Sequence, residues 1–118
     1  ASGLGEVITK KLAADPGCFV NFTYRKSKSK AAAIESELIN TKAYYCDFSD
    51  DKSVIELSEK IGSMDIDVLV NNAVTGISMK HFHKSDPAEY AKSFHDNVLP
   101  VIEISSKALI HFRKKRFS

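Results

Sequence analysis

The stretch Ile66-Asp67-Val68-Leu69-Val70-Asn71-Asn72-Ala73 constrains the fold of this chain more than any other. A short, nearly all-apolar run stops at two asparagines. Val68-Leu69-Val70 shows no polar alternation, so the pattern predicts a strand over residues 66–70 that is buried on both faces. Such strands belong to parallel sheets covered by helices on each side. The amides that follow put hydrogen-bonding groups at a strand's carboxyl end, where open α/β sheets bind ligands.

The surrounding periodicity agrees. Leu4, Ile8 and Leu12, widened by Val7, predict a helix over residues 4–14 with that stripe inward. Asp15-Pro16-Gly17 stops it. Residues 18–24 read as a strand, with Val20, Phe22 and Tyr24 on one face and Phe19, Asn21 and Thr23 on the other. A helix over residues 27–38 turns Ala31, Ile34 and Leu38 inward, and residues 43–46 make a short strand. Ser49-Asp50-Asp51 supplies N-cap chemistry for a helix that buries Val54, Leu57 and Ile61 and ends at Gly62. After the strand over 66–70 and a loop, Asp86 as N-cap, Pro87 as first helical residue and Glu89 as capping-box partner open a helix over residues 86–113. Strands alternating with helices predict an α/β fold, a doubly wound parallel sheet, in one partial domain spanning residues 1–118.

Composition narrows the function. A net charge of +2 argues against nucleic acid, and no apolar run approaches the roughly 20 residues that span a bilayer. Cys18 and Cys46 read as small core residues suited to a reducing compartment, which points to the cytoplasm. His81 and His83 lack the companions a metal site needs. His95 and His111 read as isolated packing or surface residues. Arg113-Lys114-Lys115-Arg116 reads as a solvated helix end that complements the dipole.

The candidate chemistry is spread along the chain. Ser2-Gly3-Leu4-Gly5 opens the first helix; glycines admit a phosphate to the backbone, and the helix N-terminus offers unpaired N–H groups. Arg25 follows the strand over 18–24, about 20 residues past the glycines, where dinucleotide-binding folds select their cofactor. No carboxylate stands there, and a guanidinium suits a phosphate, which favours NADP(H) over NAD(H). Asp47-Phe48 ends the next strand. Asn97 lies mid-helix, where asparagine is a poor helix former, and Pro100 follows it, predicting a kink.

In this order, the glycine pair, the basic selector, Asp47, the asparagines and Asn97 resemble the short-chain dehydrogenase/reductase family, most closely members of the 3-oxoacyl-[acyl-carrier-protein] reductase type. The resemblance implies a Rossmann fold and an oxidoreductase that moves a hydride between NADP(H) and a carbonyl or alcohol substrate, small or carrier-bound. It implies cofactor contacts from Ser2, Gly3, Leu4, Gly5 and Arg25, adenine recognition by Asp47 and Phe48, and packing of Asn72 and Ala73 against the adenosine ribose. Val74 departs from the family's usual glycine. The resemblance makes Asn97 catalytic, its carbonyl holding a water in a proton relay, and makes the helix over 86–113 a homodimer or homotetramer contact.

The same resemblance sets an expectation about extent. The family's first strand would precede Ala1, and its catalytic serine and Tyr-x-x-x-Lys pair would follow Ser118, so this reads as part of a longer polypeptide with the first strand and the C-terminal half missing. Without that first strand, those over 18–24 and 66–70 would lie about 10 Å apart, too far to pair. A nucleotide-binding module without catalysis is the alternative reading. A flavodoxin-like or receiver-type domain is a third, which Arg25 and the paired asparagines argue against.

Overall fold

A computed structural model describes residues 3–72 and 87–117. The elements run α1 (Gly3–Ala13), β1 (Val20–Tyr24), α2 (Lys28–Glu37), β2 (Thr41–Tyr45), α3 (Asp51–Ser63), α4 (Pro87–Asn97) and α5 (Leu99–Phe117). The chain divides into two compact units, residues 1–47 and 48–118.

In the first unit β1 and β2 pair in parallel, with Val20 opposite Thr41 and Tyr24 opposite Tyr45. The crossover is α2, which buries Ala31 and Ile34 against Phe22; Tyr24, Leu38 and Ala43 pack around them. This is the inward face read from the helical period. Thr41 Oγ1 donates to the Leu38 carbonyl at 2.7 Å and satisfies the end of α2. The Ala43 N–H of β2 donates to Glu35 Oε2 at 3.1 Å.

Polar groups at the amino end of the sheet are gathered by one side chain. Asn40 Nδ2 donates to the carbonyls of Cys18 at 2.8 Å and Ala13 at 2.9 Å. The first lies at the entry to β1 and the second closes α1, so a single amide ties helix, strand and turn together. The turn over 14–19 reverses the chain, and α1 packs back along β1. Its buried residues are Thr9 and Ala13, whereas Leu4, Val7 and Leu12 are exposed. The expected stripe is therefore not the buried face. An apolar stripe becomes an inner face only where a sheet covers it, and the described sheet is two strands wide.

In the second unit Asp50 caps α3, its carboxylate accepting from the Lys52 N–H at 3.1 Å. Val54, Leu57 and Ile61 are buried as expected, with Ile104 and Ala108 of α5. Ser58 Oγ, also buried, lies 3.2 Å from Glu103 Oε1 and bridges α3 to α5. Gly62 stays within the helix, which ends one residue later at Ser63, with Met64 extended as its C-cap.

Two expectations are corrected here. Residues 66–70 form no strand, and Val68 is 75% exposed. Apolar content marks a segment fit for burial, but a strand also needs a ladder neighbour, and no described strand pairs with it. The helix expected over 86–113 is two helices with Val98 between them. The break sits where Pro100 removes the N–H that would bond the Asp96 carbonyl. Val98 N–H still bonds the Phe94 carbonyl at 2.8 Å and Ile102 N–H the Val98 carbonyl at 3.1 Å, so the path bends without unwinding. Pro87 starts α4 as expected; Asp86, its expected cap, lies outside the described residues.

Asn40→Ala removes the donor for two carbonyls and is expected to destabilise the chain by about 2 kcal/mol. Asn40→Asp, which keeps the shape but cannot donate, is expected to cost at least as much. Urea denaturation of the two variants beside the parent measures both.

Candidate cofactor and catalytic site

Parallel pairing sends β1 and β2 out at the same end, one residue before Arg25 and two before Asp47. Arg25 Nη1 and Asp47 Oδ1 stand 3.7 Å apart, both side chains about one-third exposed. At that distance and exposure the pair contributes well under about 1 kcal/mol, so it orients the guanidinium without immobilising it. Tyr24 and Tyr45, paired across the register, pack edge to face with centroids 6.0 Å apart.

The helix α1 packs on β1 and opens at Gly3. Gly3, its first residue, has φ +55, and a Cβ there would meet nothing within 4 Å. The position is left-handed and open, suited to glycine by conformation and to an anion by the free N–H groups of the first turn. Leu4 is exposed and Gly5 half-buried; the Gly5 carbonyl accepts from Thr9 Oγ1 at 2.8 Å. Ser2 lies outside the described residues. In the first unit, then, two elements of the predicted site, the basic selector and the carboxylate, share the carboxyl end of a parallel strand pair.

The other predicted residues belong to the second unit. Phe48 and Asn72 are half-buried, and Ala73 and Val74 lie outside the described residues, as do His81 and His83. The neighbouring Asn71 is exposed, its amide 3.4 Å from Ser105 Oγ of α5. Asn97 is the last residue of α4. Its Nδ2 donates to the Ser93 carbonyl at 3.0 Å, so the side chain folds back on the preceding turn. This is the helix irregularity the sequence predicts.

One spacing in the sequence needs comment. Tyr24-Arg25-Lys26-Ser27-Lys28 has the Tyr-x-x-x-Lys form. That spacing aligns two side chains only on a helix, and here Tyr24 closes β1 while Lys28 opens α2. It is not the family's catalytic pair.

A charged cluster in the second unit was missed. The sequence marks His95 as isolated, yet its Nε2 is 2.6 Å from Asp51 Oδ1 and its Nδ1 2.7 Å from Asp96 Oδ1. Lys92 Nζ donates to Asp96 Oδ2 at 2.6 Å. Asp96 is buried, and the Lys92 ammonium, with His95 second, holds its carboxyl below the usual carboxylate range. The hydrogen bonds to Asp96 and Asp51 push His95 above the ordinary histidine value. The Lys92–Asp96 spacing of four on a helix was visible in the sequence. The link to Asp51 was not, because it depends on where α3 begins.

Comparison with known proteins places the chain. Residues 1–117 match the short chain dehydrogenase family, and the chain belongs to that family. A short chain dehydrogenase from Burkholderia cenocepacia J2315, solved in complex with NADP, is 29% identical with a TM-score of 0.77, covering 92% of this chain and 46% of that one. A double mutant of a short-chain dehydrogenase/reductase from Serratia marcescens is 27% identical with the same TM-score and the same two coverages. Serine dehydrogenase from Escherichia coli, at 20% identity and a TM-score of 0.75, shares the fold over 97% of this chain and 53% of its own. The fold is thus a partial Rossmann-like α/β fold with a parallel sheet, and the chain spans about half the length of these structures. No curated protein sequence matches it.

Because Asp96 titrates below its ordinary value, its contribution is complete above about pH 4 and is lost as the pH falls through the lowered value. The urea midpoint is expected to fall between about pH 5 and pH 2, and less steeply in Asp96→Asn. Circular dichroism at each pH measures it.

Proposed function

We propose that this chain is the cofactor-binding part of an NADP(H)-dependent oxidoreductase acting on a carbonyl or alcohol, with a substrate like that of the 3-oxoacyl-[acyl-carrier-protein] reductases. The observation that carries the cofactor reading is Arg25 at the carboxyl end of the parallel pair, oriented by Asp47. A guanidinium there matches a ribose 2′-phosphate in charge and in bidentate geometry, and no acid stands in its place to favour a free 2′-hydroxyl. The donor set fits the rest of the nucleotide. The N-terminus of α1, opened by Gly3 with Ser2, Leu4 and Gly5, would take the pyrophosphate. Asp47 and Phe48 would recognise the adenine, with Asn72 and Ala73 against the ribose.

When bound, the nicotinamide supplies or accepts the hydride. In this reading Asn97 serves proton transfer by holding a water at its backbone carbonyl, which the bend at Val98 keeps from being an ordinary mid-helix group. The subtype reading rests on the resemblance in motif order.

Self-association through α4 and α5, as a homodimer or homotetramer, is part of the proposal. Tyr90, Phe94, Val98 and Ile102, spaced four apart along the two helices, are all exposed. That apolar row suits a second copy better than it suits water. Cytoplasmic placement is proposed from Cys18 and Cys46, both free thiols.

Fluorescence titration of the intact protein with NADPH and NADH tests the cofactor reading. NADPH is expected to bind at least tenfold more tightly, and Arg25→Asp to remove that preference with a loss of about 1.5–3 kcal/mol for NADPH. An unchanged preference in the variant overturns the Arg25 assignment. Phe94→Asp together with Ile102→Asp is expected to yield monomers by analytical ultracentrifugation.

A further inference from the structure

We propose that His95 is a proton-operated latch: as an imidazolium it ties the last turn of α4 to the first turn of α3, and on losing its proton it releases the turn that carries Asn97. Its geometry requires two donors. Nδ1 and Nε2 each face a carboxylate oxygen, at 2.7 Å and 2.6 Å. An ionised carboxylate only accepts, and a neutral imidazole has one N–H, so the neutral ring would set a lone pair against one of the two oxygens. The imidazolium alone satisfies both contacts.

The surroundings favour that form. His95 lies in the last turn of α4, where the helix dipole favours a cation. The charged groups facing it are Asp51 from α3 and Asp96 from its own helix, and Asp96 is shared with Lys92. Among the described residues α5 adds no charged side chain to the cluster; its Glu103 is engaged by Ser58.

The latch sits beside a break in the helix. Pro100 cannot donate to the Asp96 carbonyl, so the final turn of α4 lacks a normal hydrogen bond just before the bend. Two side-chain contacts act in its place: Lys92 to Asp96 within the turn, and His95 to Asp51 across to α3. Asn97 is the next residue. If the second contact opens, the turn loses its direct side-chain tie to α3 while α4 keeps its packing on α5. His95 is thus a positioning residue, and its bearing on catalysis rests on the reading of Asn97 given above.

The sign of the pH dependence follows from the raised value of His95. The contact is complete below about pH 6.5, the ordinary histidine value, and is lost as the pH rises through the higher folded value. The test uses NMR on the intact protein, with Asp51→Asn and His95→Gln beside the parent. His95 is expected to titrate above the ordinary value in the parent and to move down in Asp51→Asn. Hydrogen-exchange protection of the Asn97 and Val98 amides, corrected for intrinsic rates, is expected to fall about two- to fivefold between about pH 6 and pH 8.5 in the parent. It is expected to stay level in His95→Gln. Ordinary titration of His95 in the parent, or protection that ignores pH, overturns the latch, as does an unmoved titration in Asp51→Asn. The pH profile of kcat separates the two claims. Protection and turnover falling together support positioning of a catalytic Asn97. Protection falling while turnover does not leaves the latch standing and counts against the catalytic reading of Asn97.

Discussion

The parallel register of β1 on β2 governs the first unit. Setting Tyr24 opposite Tyr45 makes the two strands end level, so the residues just past them emerge side by side. Arg25 and Asp47 are neighbours for that reason and no other, since nothing local in the sequence connects them. A slip of one residue would turn one strand's buried face outward and carry its exit group to the other side of the sheet. The register is held from the opposite end, where Asn40 enters β2 while its amide binds carbonyls of α1 and of the approach to β1. Packing of Ile34 and Ala31 on Phe22 then makes the slip costly, because a core residue as buried as Ile34 loses about 2–5 kcal/mol on truncation alone.

This division of labour explains what the sequence revealed. The inward faces of α2 and α3 were legible because helical period encodes them directly, and each helix had a partner to cover the stripe. On α1 the same period selected Leu4 and Leu12, while the structure buries Thr9 and Ala13. There the outcome was decided by how much sheet lies beneath the helix, which period does not report. Residues 66–70 fail for a related reason. Their composition suits a doubly covered strand, yet a strand is a property of a pair. The bend after Asn97 was legible because its cause, Pro100, is local.

The candidate site divides along the same line. Each of its residues could be picked out by type and position, because strand ends and helix starts are where an α/β sheet offers free backbone and charge. The coupling between them could not. Arg25 reads in the sequence as a selector waiting for a phosphate, whereas the structure gives it a carboxylate neighbour at 3.7 Å. The two roles are compatible because the pair is long and partly solvated. A phosphate with nearly two charges and a bidentate face competes well against a single carboxylate oxygen beyond hydrogen-bond distance.

A helix interrupted by proline has to replace the bond it loses, and the replacement determines how the interrupted turn behaves. Backbone bonds are indifferent to pH near neutrality; side-chain bonds between ionisable groups are not. In α4 the turn ahead of Pro100 is braced by a lysine, a histidine and two aspartates. Its mechanical integrity is thereby tied to protonation. Asp50 at the start of α3 shows the contrast, since it caps through a single charge-assisted bond to the Lys52 N–H whose donor never titrates. The brace on α4 falls on the one turn whose last residue is Asn97. A side chain there that answers to proton concentration acts on the helix end that carries Asn97, so a substitution at His95 or Asp51 is read first at Asn97 and Val98 and only afterwards in the stability of the unit.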